Sequence, residues 1–95
     1  MAARKKFGHC ELCNRTTHLT FHHLIPRKLH RRKHFKKHYD KAALAAGIDL
    51  CRDCHKGIHK LFDEMTLGRE LNTKAQLLAD PSVSRHCDWV ARQKL

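Results

Sequence analysis

Four of the five cysteines fall into two identical pairs, Cys10-Glu11-Leu12-Cys13 and Cys51-Arg52-Asp53-Cys54. A CxxC pair puts two thiolates on one tight turn, and two such turns facing each other complete a tetrahedral S₄ shell. That shell favours structural zinc. Between the knuckles lie 37 residues, more than a short finger contains, so a substructure must sit there. Disulfides are the competing use of these cysteines. They belong to oxidising compartments, and no apolar stretch follows the basic Met1–Lys6 to make a secretory signal. A cytoplasmic protein is expected. The leftover Cys87 sits on a helical apolar stripe and reads as a small buried hydrophobe.

Four of the ten histidines can do chemistry together. His55 follows the second knuckle directly and His59 lies four residues on, so on a helix the two share a face and can hold one metal. His22 is the obvious third ligand. Three protein ligands leave an open coordination position for water or a phosphate oxygen, which marks a catalytic metal rather than a structural one. His23 is then free as a general base, since imidazole exchanges a proton near neutral pH. One divalent metal and one base suffice for phosphodiester hydrolysis. Three imidazoles favour Zn²⁺, Ni²⁺ or Mn²⁺ over Mg²⁺, although cellular availability competes with that preference. A strict strand would point His22 and His23 to opposite faces. A shared site therefore needs a bulge or a strand end. His9, His30, His34, His38 and His86 read as surface residues.

The elements that must position these groups can be read locally. Met1–Gly8 reads as a flexible basic arm, followed by the first knuckle. His18–Ile25 is a β-branched and aromatic run ended by Pro26, with Leu19, Phe21 and Ile25 on one face and His18, Thr20 and His22 on the other. Residues 28–46 read as one helix with Leu29, Phe35, Tyr39, Ala42, Ala43 and Ala46 along a stripe and Gly47 as its stop. Ile48-Asp49-Leu50 is a short strand. A second helix runs from His55 to about Phe62, weakened slightly by Gly57. Thr73 and Gln76 form a capping box. Asp80 and Pro81 open a last helix that runs to about Gln93, with Val83, Cys87 and Val90 on one face and Trp89 packed on the domain.

The whole is a single α+β domain of 95 residues. Residues 9–64 form its core and 65–95 a helical extension. So short a chain has little core of its own, which is why a metal staple is expected. Length and composition exclude a multidomain enzyme and a dinucleotide-binding domain. No apolar run approaches the roughly 20 residues that cross a bilayer, so no membrane is expected as a partner. The formal net charge is +11. Residues 1–41 carry 12 Lys/Arg against two acids; residues 42–95 carry eight against seven. So concentrated an excess points to a polyanion, most often nucleic acid. It centres on Arg27, Lys28, Arg31, Arg32, Lys33, Lys36, Lys37 and Lys41, which would contact phosphates and position a duplex without reading its sequence.

Phe21-His22-His23-Leu24-Ile25-Pro26, followed by Leu50-Cys51-Arg52-Asp53-Cys54-His55 and then His59, resembles the HNH nuclease motif, in the subgroup with four zinc-binding cysteines. The likeness covers residues 10–60. It implies a ββα-metal core, a β-hairpin and helix around one catalytic divalent metal (Mg²⁺, Mn²⁺, Ni²⁺ or Zn²⁺); the long basic insert between the strands, Arg27 to Lys41, departs from that pattern. The activity implied is cleavage of DNA phosphodiester bonds. His23 matches the general base, His22 and His59 match metal ligands, and His55 matches a histidine that joins the metal shell in some branches. Where the motif has its middle Asn, this chain has Ala46. Asp49, three residues on, is the candidate to orient His23 as a carboxylate behind the base. No sequence argument brings Asn72 there. A catalytically inactive zinc module that binds nucleic acid is the alternative, motivated by Ala46 and the charge. A small toxin or phage accessory protein whose tail meets a partner is a third. A homodimer would ease a double-strand cut, but no residue specifies one.

Overall fold

The computed structural model describes residues 6–93. Its centre is β2 (Thr16–His23), whose threonines, Phe21 and alternating pattern suit an extended backbone. Ahead of it, the Cys10–Arg15 turn closes through Cys10 N–H to Arg15 O at 2.9 Å and Asn14 N–H to Cys10 O at 2.9 Å. Asn14 takes φ 66°, a left-handed conformation that its short polar side chain tolerates. The turn joins β2 to β1 (Lys6–His9). Lys6 to Gly8 are thus strand rather than flexible arm, and the rest of the expected arm lies outside the described residues. On its other side β2 pairs with β3 (Gly47–Cys51), giving a three-stranded antiparallel sheet in the order β1-β2-β3.

Register matters most for function. Leu19 stands opposite Cys51, Thr20 opposite Leu50, His22 opposite Ile48 and His23 opposite Gly47, without interruption. Neighbouring residues therefore alternate faces. Thr20, His22, Ile48 and Leu50 face α3 (Arg52–Leu61), the helix that follows β3 directly. Leu19, Phe21 and His23 point the other way. Of the two expected ways for His22 and His23 to share a site, no bulge occurs; His23 is the last residue of β2. Ile25 does not continue the Leu19–Phe21 face, because the strand has ended.

The basic segment is not one helix over 28–46. A 3₁₀ turn (Arg27–Leu29) leads to α1 (Lys33–His38) and α2 (Lys41–Ala45). Tyr39 is extended between the helices, and Asp40 caps α2 by accepting the Ala43 N–H at 2.8 Å. An Asx cap starts a new helix rather than prolonging an old one. Gly47 is not the expected left-handed stop either, since no described glycine has positive φ. Its missing Cβ has another use: a Cβ there would sit 2.4 Å from Cζ of Phe21. Ile25, Leu29 and Phe35 form a small core of their own with Tyr39, Leu44 and Met65.

The remaining helices are α4 (Glu64–Glu70), α5 (Lys74–Ala79) and α6 (Pro81–Ala91). Each begins on a side-chain cap. Asp63 accepts from Thr66 N–H at 2.8 Å, Thr73 from Gln76 N–H at 3.1 Å, and Asp80 from Ser82 and Val83 N–H at 2.9 and 3.1 Å. Such caps are each worth about 1 kcal/mol. These helices supply Leu67, Leu71, Leu77, Val83, Cys87 and Val90 to the main core, beside Leu50 and Ile58. Gly57 is a packing residue more than a flaw in α3: a Cβ there would lie 1.9 Å from Nε2 of His86 on α6. Trp89 is not packed into the domain. It is 57% exposed and stacks on His86. Among the described residues no helix is long and apolar enough to cross a membrane.

Candidate metal centres

The β3–α3 corner carries two clusters of metal-ligating side chains. At its start Cys10, Cys13, Cys51 and Cys54 converge, with all four sulfurs within 4.8 Å of one another. Cys13 Sγ and Cys51 Sγ are 3.7 Å apart. Zinc–sulfur bonds of about 2.3 Å in a tetrahedron demand an edge of about 3.8 Å, so the donor set fits zinc. Cys10, Cys51 and Cys54 are buried and Cys13 is half-buried, so the site is closed. Cys51 also caps α3, its sulfur accepting the Cys54 N–H at 3.4 Å. The hydrogen bond with Cys54 lowers Cys10 to about 4. The same bond, a second to Cys87 and burial push Cys54 far up.

Arg15 is the cluster's counter-charge. One guanidinium nitrogen donates to Cys51 Sγ at 3.5 Å and to Asp53 at 3.1 Å, and another to Gln93 O at 3.3 Å. Cys51 most strongly, then Cys13 and Asp53, hold it above the usual arginine range. A cation two residues after a CxxC was the available signal. Cys87 is buried as expected, with its sulfur 3.9 Å from that of Cys54.

The second cluster is His22, His55 and His59, whose donor nitrogens also fall within 4.8 Å of one another. Ring centroids are 5.2 Å apart for His22–His55, 5.4 Å for His22–His59 and 5.1 Å for His55–His59. The helical i, i+4 spacing brings the last two together. Sheet register adds His22, 33 residues upstream of His55. His22 is 1% exposed, and neither of its ring nitrogens has a hydrogen-bond partner. Buried polar atoms are ordinarily paired, so a cation bound there would answer an unmet need. Burial, then the neighbouring His55, His59 and His23, pushes His22 down to about 4, keeping it neutral and a competent ligand. Burial also lowers His55, with smaller contributions from His59 and His23. His59 is exposed, so this cluster opens to solvent beside Lys56 and Lys60.

Thr20 is a second residue that sequence reasoning passed over. Its hydroxyl donates to Leu50 O at 3.0 Å and lies 2.8 Å from His55 Nδ1. With its one proton spent on the carbonyl, the oxygen can only accept from His55. His55 is therefore the Nδ1–H tautomer, and its Nε2 lone pair is free for a metal.

His23 is not part of the three-histidine cluster and points to the other face of β2. Its ring is edge-on to Phe21 at 4.9 Å and 5.9 Å from the ring of His30. Burial, followed by the His30 and Arg27 charges, lowers its pKa, favouring the neutral base at pH 7. His30, expected to be a surface residue, is half-buried, with Nε2 2.7 Å from Ile25 O. No hydrogen bond joins Asp49 to His23; one oxygen of its carboxylate pairs with Lys6 instead. Nor does Asn72 fold back to the histidines; it donates to Tyr39 Oη at 3.1 Å and Gly68 O at 2.9 Å. Ala46 offers only backbone, accepting the Leu24 N–H at 3.1 Å. Arg27, Lys28, Arg31, Arg32, Lys33, Lys36 and Lys37 are all exposed. They are spread over the 3₁₀ turn, its exit and α1. Lys28 lies 3.3 Å from Glu64.

The chain belongs to the same family as the uncharacterized protein YisB of Bacillus subtilis (strain 168). The two are 34% identical over 92 residues, which is 96% of this chain and 81% of that protein. No family model matches the chain, and no solved structure matches it.

Proposed function

We propose that this protein is a metal-dependent endonuclease of the HNH type that hydrolyses DNA phosphodiester bonds. The observation that carries this reading is the meeting of His22, His55 and His59 on one open site, with His22 buried and unpartnered. In it, β2, β3 and α3 are the ββα-metal core. The cysteines hold a structural zinc, and His22, His55 and His59 hold a second divalent ion. A divalent ion bound there supplies charge stabilisation at the phosphate and the leaving 3′ oxygen. His23, neutral at pH 7, takes a proton from the attacking water. Arg27, Lys28 and the cations up to Lys37 hold the phosphate backbone.

The test is nicking of supercoiled plasmid with Mg²⁺, Mn²⁺, Ni²⁺ or Zn²⁺. His23→Ala should lose roughly 100-fold or more, the usual worth of a general base. Equal nicking by wild type and folded His23→Ala would sink the assignment. Three observations at His23 favour a non-catalytic nucleic-acid-binding module instead. Ala46 has no side-chain amide, Asp49 is engaged by Lys6, and among the described residues no hydrogen bond orients His23. That reading predicts salt-dependent DNA binding, one zinc per chain and no second ion.

A further inference from the structure

The sheet face away from α3 carries Phe21, half of which is open to solvent (49%). An antiparallel sheet with one face packed ordinarily puts polar residues on the other, so a large aromatic ring there asks for a purpose. The ring is placed deliberately. Gly47, opposite His23, leaves the space in which the His22 carbonyl and the Phe21 ring edge lie: a Cβ would meet His22 O at 2.4 Å, Cζ of Phe21 at 2.4 Å and Cε2 at 2.7 Å. Phe21 also touches His23 edge-on at 4.9 Å. Lys6, Leu19 and Asp49 line a shallow depression with it. The His30 ring lies 5.9 Å from the imidazole, and Arg27, four residues along the chain, is exposed. An aromatic ring thus adjoins the proposed base within a strongly cationic chain. That combination matches a nucleotide, with a phosphate at His23 and Arg27 and an apolar base face on the ring.

We propose that Phe21 is a stacking platform for an unpaired nucleobase next to the phosphate that His23 serves. The preferred substrate is then DNA that is single-stranded or frayed at the cut. This rests on the nuclease reading and narrows its substrate. Base pairs inside a duplex are already stacked and cannot offer a face to Phe21, whereas an unpaired base can.

The test is binding of a fluorescent single-stranded DNA 12-mer, and of the same sequence as duplex, by full-length protein with zinc on the cysteines and no other divalent ion. Phe21→Leu keeps an apolar side chain while removing the aromatic face, and circular dichroism checks its fold. It should bind the single strand about tenfold more weakly, the order expected for one lost stack, and the duplex unchanged. Phe21→Trp should bind the single strand at least as tightly as wild type. Equal single-strand affinity for wild type and folded Phe21→Leu overturns the platform and leaves the nuclease reading standing. Wild type that binds neither form of DNA overturns both.

Discussion

The two metal-ligating clusters share one strand–helix corner and differ in nearly every physical respect. At the cysteines, four like donors close around a point, three of them buried, with Arg15 as counter-charge and the α3 cap built into the same sulfur. At the histidines, three donors leave one side free, and they range from the buried His22 to the exposed His59. A closed shell contributes to folding; an open one leaves coordination positions for something else. The contrast also shows how a chain of 95 residues can carry an unpartnered buried histidine. A metal on the cysteine cluster beside it would hold β3 and α3 in place while His22 stays unpartnered.

Removing a cysteine should break the comparison most severely. Cys54→Ala should lose zinc and the cooperative fold together, since structural zinc in such sites contributes about 10–16 kcal/mol at neutral pH. Metal analysis with circular dichroism would show it; a folded, zinc-free variant would mean the cysteines are no staple. His59→Ala is the matched experiment at the open site. It should keep the fold and the zinc while affinity for a second divalent ion falls about 100-fold, or about 3 kcal/mol. Calorimetric titration with Ni²⁺ or Mn²⁺ reads this out.

Acid should separate the two through His22. Its pKa is depressed from 6.5 to about 4, so the unfolded chain binds the extra proton first. Stability from the neutral ring is present above pH 6.5 and is lost as pH falls towards 4, by at most about 3 kcal/mol. His22→Leu should flatten that slope in protein without a histidine-bound ion. Denaturant melts of both proteins from pH 7 to pH 4.5 would measure the difference, and parallel slopes would refute the assignment. The smallest effect belongs to Thr20→Val. Losing the hydroxyl frees the His55 tautomer and should weaken the second ion about tenfold, as removal of a partner behind a ligand does. The zinc and the melting temperature should stay the same. Unchanged Ni²⁺ affinity would leave Thr20 without a role at the metal.

Legibility followed the distance over which each feature is built. The CxxC turns, the His55/His59 pair and the Thr73 and Asp80 N-caps rest on residues within four positions of each other and appear as read, although among the described residues no Gln76 side chain returns to Thr73 to complete the expected capping box. The expected helix over 28–46 failed because its apolar stripe was sparse and Asp40, a strong cap, sits in the middle. Trp89 was misplaced because size alone does not say whether a helix face meets a neighbour.

By itself, the sequence determined which chemistry was available: four thiolates for a staple, imidazoles for an open site and a concentrated run of cations. Those depend on residue type and short spacing, and local backbone geometry carries both. Alternation along a strand already put His22 and His23 on opposite faces; only the tertiary structure, through a register set by β3, decided that the His22 face met α3. Arg15 at the sulfurs, Thr20 behind His55, Lys6 on Asp49 and Phe21 over Gly47 were settled in the same way. Each joins residues more than 25 positions apart, and no local periodicity specifies such pairs before the sheet has formed.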